Sequence, residues 1–107
     1  MRMRRIAFKV VTPDLRSLGL RKNPTIVTYP LGCWISSPKK QVQHADAGGI
    51  WSAQKLSGAR TLVKYMLRNH NLRCRVFRAE IDGVVRENSY RVQSKRIRLL
   101  SEIPVLT

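Results

Sequence analysis

Only one stretch of this 107-residue chain repeats its apolar residues at a helical period: Ala59, Leu62, Val63 and Met66 recur at three and four positions. The other apolar residues fall in short, alternating, β-branched runs, the first being Ile6, Phe8 and Val10, which stops at Thr12-Pro13-Asp14. One helix among many short strands predicts an α+β fold, mostly antiparallel β-sheet with one main helix packed on it. Residues 1–107 are the size of a single domain. Ser57 is the expected N-cap, and the helix is expected to end near Asn69-His70-Asn71.

Thr25 to Tyr29 and Cys33 to Ser36 read as short strands around a tight turn or bulge at Pro30-Leu31-Gly32. Leu15 to Pro24 suits a packed loop or a single helical turn, and Ser37 to Gly49 is a polar connection of unusual length, the kind that tends to be functional or mobile. Ile50 to Ala53 is a strand. From Arg73 to Ile81 the apolar parity slips, Cys74 and Val76 being even and Phe77, Ala79 and Ile81 odd, which predicts a β-bulge near Val76-Phe77. Asp82-Gly83 predicts a two-residue hairpin turn leading into a strand from Val84 toward Glu87; Ile97, Leu99 and Ile103 mark a last strand ended by Pro104.

Charge sets the partner class. The chain holds 21 Lys+Arg against 6 Asp+Glu, a formal net charge of +15, spread along its whole length. Fourteen of the cations are Arg, whose planar fork matches phosphate bidentately, and a polyanion relieves the self-repulsion of such a surface. The expected partner is a nucleic acid, RNA or DNA, with an acidic protein surface as the alternative, as for a phage-type inhibitor or interaction protein. Arg60, Lys64 and Arg68 stand at i, i+4 and i+8 on the outer helix face with no acid beside them, and Arg73, Arg75, Arg96 and Arg98 are expected to assist. Trp34 and Tyr90 are the candidate stacking platforms; Trp51 and Tyr65 are assigned to the core. No RNA-recognition aromatic signature, GxxG clamp or helix-turn-helix pair is present.

The sequence calls for no metal and no cofactor. Cys33 and Cys74 lie far apart without ligand-spaced neighbours and read as small core residues, and His44 and His70 are isolated. Gly48-Gly49 precedes a strand, so it is not a phosphate-cradling loop. Asp82 is assigned to its turn; the remaining acids offer no paired carboxylates on one element, apart from a loose pairing of Glu80 and Glu87 across the expected hairpin. No apolar run is long enough for a membrane span, and the basic start leads into alternating residues rather than a secretory core, so cytoplasmic residence is expected. Open edges in so small a sheet leave room for a homodimer by strand pairing.

The segments Gly49-Ile50-Trp51-Ser52-Ala53, Ala59, Tyr65-Met66, Cys74 through Val85 and Ser94 through Ile103 resemble a group of small uncharacterised bacterial and phage α+β domains. In outline that pattern is similar to compact ADP-ribosyltransferase-like folds, in which a split β core binds NAD and a late acidic residue supports transfer. The resemblance implies, as an alternative function, an NAD-using ADP-ribosyltransferase-like enzyme or its catalytically inactive relative, with Lys9 or Arg5, Trp51, and Glu80 or Glu102 as the positions to examine. The chain departs from it in lacking a Ser-Thr-Ser or His-Tyr-Glu set, and an ion pair to Arg96 or Arg98 is the simpler expectation for Glu102.

Overall fold

The structure, a computed structural model, describes residues 4–18, 26–37 and 50–104. Its elements are β1 (Arg5–Val11), β2 (Trp34–Ser36), β3 (Ile50–Ala53), α1 (Leu56–His70), β4 (Arg75–Glu87) and β5 (Arg91–Ile103). The strands form one antiparallel sheet in the order β2-β5-β3-β1-β4, and β5 also pairs with β4, so the sheet closes on itself. Closure returns through β3, which pairs with β5 on one side and meets β1 at Phe8↔Ala53 on the other. Along that edge of β5, β3 is followed by β2, with Trp34 opposite Arg98 and Ser36 opposite Arg96. The α+β expectation holds.

Two cores lie on opposite faces of the same strands. Inside the closed sheet sit Ala7, Val11, Tyr29, Ile50, Phe77, Ala79, Ile81, Val92, Ile97 and Leu99. Outside it, α1 packs Ala59, Val63 and Met66 onto Val10, Cys74 and Val76. This accounts for the parity slip, because Val76 faces the helix while Phe77 faces inward and both are buried. The β1–β4 register runs unbroken from Val11↔Arg75 to Arg5↔Ile81, so the predicted bulge at Val76-Phe77 is absent. The irregularities in the β4–β5 ladder fall between Arg78 and Ala79 and between Val84 and Arg86.

The hairpin turn is also displaced. Asp82 and Gly83 are inside β4, where the register carries on from Asp82↔Arg96 to Val84↔Ser94. Gly83 has φ +71°, a conformation L side chains rarely adopt, and a Cβ there would also lie 3.0 Å from the Lys95 Cβ, so the glycine serves a positive φ inside a strand rather than a hairpin turn. The chain reverses at Asn88, whose Oδ1 accepts from the backbone N–H groups of Tyr90 and Arg91, both at 2.8 Å. An Asn side chain closing a loop replaced the Asp-Gly pair as the turn former.

Helix α1 starts from Lys55, which is extended and gives no side-chain cap; Ser57 is in the first turn rather than capping it. The helix ends on Asn71 in the left-handed region, its N–H donating to Leu67 O at 3.1 Å, as the Asn69-Asn71 signal predicted. Gly32, at φ +79°, makes the expected turn, closed by Cys33 N–H to Pro30 O at 3.2 Å. The expected strand before it is reduced, within the described residues, to one bridge between Thr28 and Arg16. Its neighbours are tied instead by Ser17, whose N–H donates to Val27 O at 2.8 Å while its hydroxyl accepts from Val27 N–H at 2.6 Å. The long polar connection lies, beyond Ser37, outside the described residues.

Candidate nucleic-acid interface

Every described carboxylate is held by arginine. Asp14 pairs with Arg16 at 3.0 Å, Glu87 with Arg5 at 2.5 Å and Glu102 with Arg75 at 2.8 Å; Asp82 pairs with Arg96, and Glu80 with Arg98 and, at 3.9 Å, with Arg4. The hydrogen bonds from Arg98, Arg5 and Arg75 hold Glu80, Glu87 and Glu102 below the usual carboxylate range. Asp14 is lowered chiefly by the hydroxyl of Thr12. Glu102 thus finds Arg75 across the β4–β5 ladder rather than Arg96 or Arg98 as expected. Glu80 and Glu87 sit on one strand, each with its own arginine, and not across a hairpin.

The outer face of the sheet beyond the helix holds an internally paired cluster, with Arg78 exposed on the same strand as Glu80 and without an ion pair among the described residues. Cross-strand register puts Arg98 between Glu80 on β4 and Trp34 on β2, and Arg96 opposite Asp82. The Arg96, Arg98 and Arg4 guanidinium carbons lie 4.7, 5.0 and 5.2 Å from the Trp34 ring centroid. These arginines therefore have both a carboxylate and an aromatic face as partners. Three of the expected binding residues, Trp34, Arg96 and Arg98, do come together, but in contacts that already satisfy their charge and cover the indole. Arg75 is likewise engaged, by Glu102, by Pro13 O at 3.0 Å and by the Phe77 ring.

The helix face differs. Residues 47–79 contain no acid and seven cations, and α1 lies inside that stretch. Ala59, Val63 and Met66 turn one side of the helix into the core, which leaves Arg60, Lys64 and Arg68 exposed on the other, about 6 Å apart along the axis. Among the described residues none of the three has an ion pair, and Arg73, exposed just past the helix end, has none either. Tyr65, assigned to the core from sequence, is 50% exposed on the same polar arc, with its ring 5.9 Å from that of His70. Its position was legible: it lies two residues, or 200°, beyond Val63, on the side away from the buried stripe. Tyr90, 75% exposed as expected, is anchored at the helix start, its carbonyl accepting from Gln54 N–H at 3.0 Å.

The positions implied by the resemblance separate. Lys9 points into the closed sheet, 8% exposed, where its Nζ donates to Trp51 O at 2.6 Å and lies 5.2 Å from the Tyr29 ring; burial lowers its pKa to about 8. Burial pushes the Tyr29 phenol up to about 12. Trp51 is half-buried beneath Arg91, whose guanidinium is 4.5 Å from its ring. Glu80 is paired in register with Ile6, on the opposite face of β1 from Lys9. Arg5 bridges Glu87 and Gln54 at the hairpin end, and Glu102 is with Arg75. Lys9 and Trp51 meet, then, while the acids face elsewhere.

Cys33 is exposed, contrary to its assignment to the core, because it follows the Gly32 turn; Cys74 is buried and its thiol is pushed up by desolvation. Among the described residues no three His, Cys, Asp or Glu side chains gather as a metal site, and no helix is long and apolar enough to cross a membrane. The chain matches no protein-family model, no curated protein and no solved structure.

Proposed function

We propose that this domain binds the phosphate backbone of nucleic acid through the outer face of α1, with Arg60, Lys64 and Arg68 as the contacts and Arg73 at one end. One observation carries this reading: the described acids are all taken by arginines elsewhere, while Arg60, Lys64 and Arg68 share one exposed helix face with no ion pair among the described residues. An unpaired row of like charges at i, i+4 spacing costs helix stability and gains from a bound polyanion. Arg75, Arg96 and Arg98 act instead as structural cations that neutralise Glu102, Asp82 and Glu80.

Binding of nuclease-treated protein to labelled RNA and DNA across a salt series tests the reading. The logarithm of the affinity should fall with the logarithm of salt with a slope of roughly 0.7–0.9 per phosphate neutralised. In the Arg60→Ala/Lys64→Ala/Arg68→Ala variant the slope should drop by about 2 and the affinity at ~0.1 M salt by about 100-fold. Absence of binding at low salt, or unchanged binding by the variant, overturns it.

A further inference from the structure

Resting on the backbone-binding reading above, we infer that the helix face takes single-stranded nucleic acid, with unpaired bases stacked on Tyr65 and Tyr90. The phosphate row alone suits any polyanion; the aromatic residues narrow it. Tyr65 precedes Arg68 by three positions, so its exposed ring flanks the row on the side of Arg68, about 60° round the helix from it. The His70 ring meets it at an interplanar angle of 61°, an edge contact that steadies the tyrosine while half of its surface remains in water.

Tyr90 extends the same track at the other end of the helix. The hydrogen bond from Gln54 and the approach of Tyr90 O to within 4.0 Å of a Cβ built on Gly58 pin its backbone against the first turn, and Tyr90 is 75% exposed, the most of any large apolar residue among those described. From Gly58 to Arg68 the helix axis advances about 15 Å, a length that spans roughly four stacked nucleotides at 3.4 Å each. Along the axis the order is Tyr90, Arg60, Lys64, Tyr65, Arg68, a ring at one end and a second beside the last two cations. A base offers its face to a tyrosine only when it is unpaired, whereas a duplex exposes phosphates and groove edges. Trp34 is excluded from the track because three guanidinium groups already surround it.

The test compares single-stranded oligonucleotides with duplexes carrying equal numbers of phosphates, RNA and DNA alike, by fluorescence anisotropy at one salt concentration. Wild type should prefer the single strands by about tenfold or more, the scale of one stacked base. Tyr65→Leu should lose that preference while its salt slope is unchanged, Tyr65→Phe should keep it, and Tyr90→Ala should lose a smaller part; circular dichroism confirms that each variant is folded. Equal affinity for duplex and single strand, or an indifferent Tyr65→Leu, overturns this inference and leaves backbone binding standing. Polyglutamate bound as tightly as the oligonucleotides, or no polyanion bound at low salt, removes both.

Discussion

Arginine does different work on the two outer surfaces of this domain. On the sheet, Arg96 and Arg98 lie between the carboxylates of Asp82 and Glu80 and the ring of Trp34, each guanidinium fixed by partners on two neighbouring strands. On the helix, Arg60 and Arg68 extend into water from a segment with no acid along its length. The same residue type is structural where the strand register places a carboxylate opposite it, and available where no acid is near. A formal charge of +15 is therefore divided: six described arginines are paired with acids, while Arg60, Lys64, Arg68 and Arg73 at the helix and Arg78, Arg86 and Lys95 on the strands have no ion pair among the described residues.

The largest effect tests a third kind of cation, one that is buried and has no ion pair among the described residues. Lys9 is buried with its pKa lowered to about 8, against 10.5 for the free side chain. Below about pH 8 the folded and unfolded chains are both protonated and the desolvation penalty is complete. As pH rises from about 8 to 10.5 the folded chain loses its proton first, so stability increases, by on the order of 3 kcal/mol at 1.36 kcal/mol per pK unit. Denaturant midpoints across that range should rise for wild type relative to Lys9→Met, which should already be the more stable protein at pH 7. Parallel curves for the two proteins would place the Lys9 amine in water.

Next in size, Arg96→Ala/Arg98→Ala should cost about 2–3 kcal/mol, chiefly by taking the arginine partner from buried Asp82 and two of the three guanidinium groups from Trp34; Glu80, less buried, keeps Arg4. Its nucleic-acid salt slope should change by less than one phosphate equivalent. The same variant should weaken the acid dependence of stability. Glu80, Glu87 and Glu102 have folded pKa values below 4.5, so the stability they contribute is present above that pH and lost as pH falls through their lowered values. Removing Arg98 takes away the largest part of the Glu80 share and leaves the part from Arg4 and Arg78. A large loss of binding with unchanged stability would reverse the roles assigned to the two faces.

Legibility followed the range of the interactions involved. The helix, its Asn71 end, the Gly32 turn and the exposure of Arg60, Lys64 and Arg68 depend on residues within a few positions of one another, and periodicity revealed them. The Val76-Phe77 slip was visible, but a bulge was the wrong reading, because sequence does not say that a strand is buried on both faces by two cores. Asp82-Gly83 has the composition of a turn; only the continuation of β5 opposite it, with Lys95 crowding Gly83, turns it into strand. The availability of each arginine was out of reach for the same reason. Whether Arg98 is free depends on a carboxylate eighteen positions away and on a tryptophan from another strand.

The smallest expected effect discriminates best, because stability and binding should move in opposite directions. Lys64 has Arg60 four residues before it and Arg68 four after, two like-charge pairs that each cost a few tenths of a kcal/mol. Lys64→Glu replaces both repulsions by attractions and should raise unfolding stability by roughly 0.5–1 kcal/mol in low salt, a gain that fades as salt screens it. The same change should weaken oligonucleotide binding and reduce the salt slope by more than Lys64→Ala does, since it removes one phosphate contact and places an acid between the other two. A chain that becomes more stable as it loses its ligand has been carrying unfavourable charge for the sake of that ligand. If Lys64→Glu instead destabilises the domain, the row is already balanced by an internal partner, and the contrast between helix and sheet disappears.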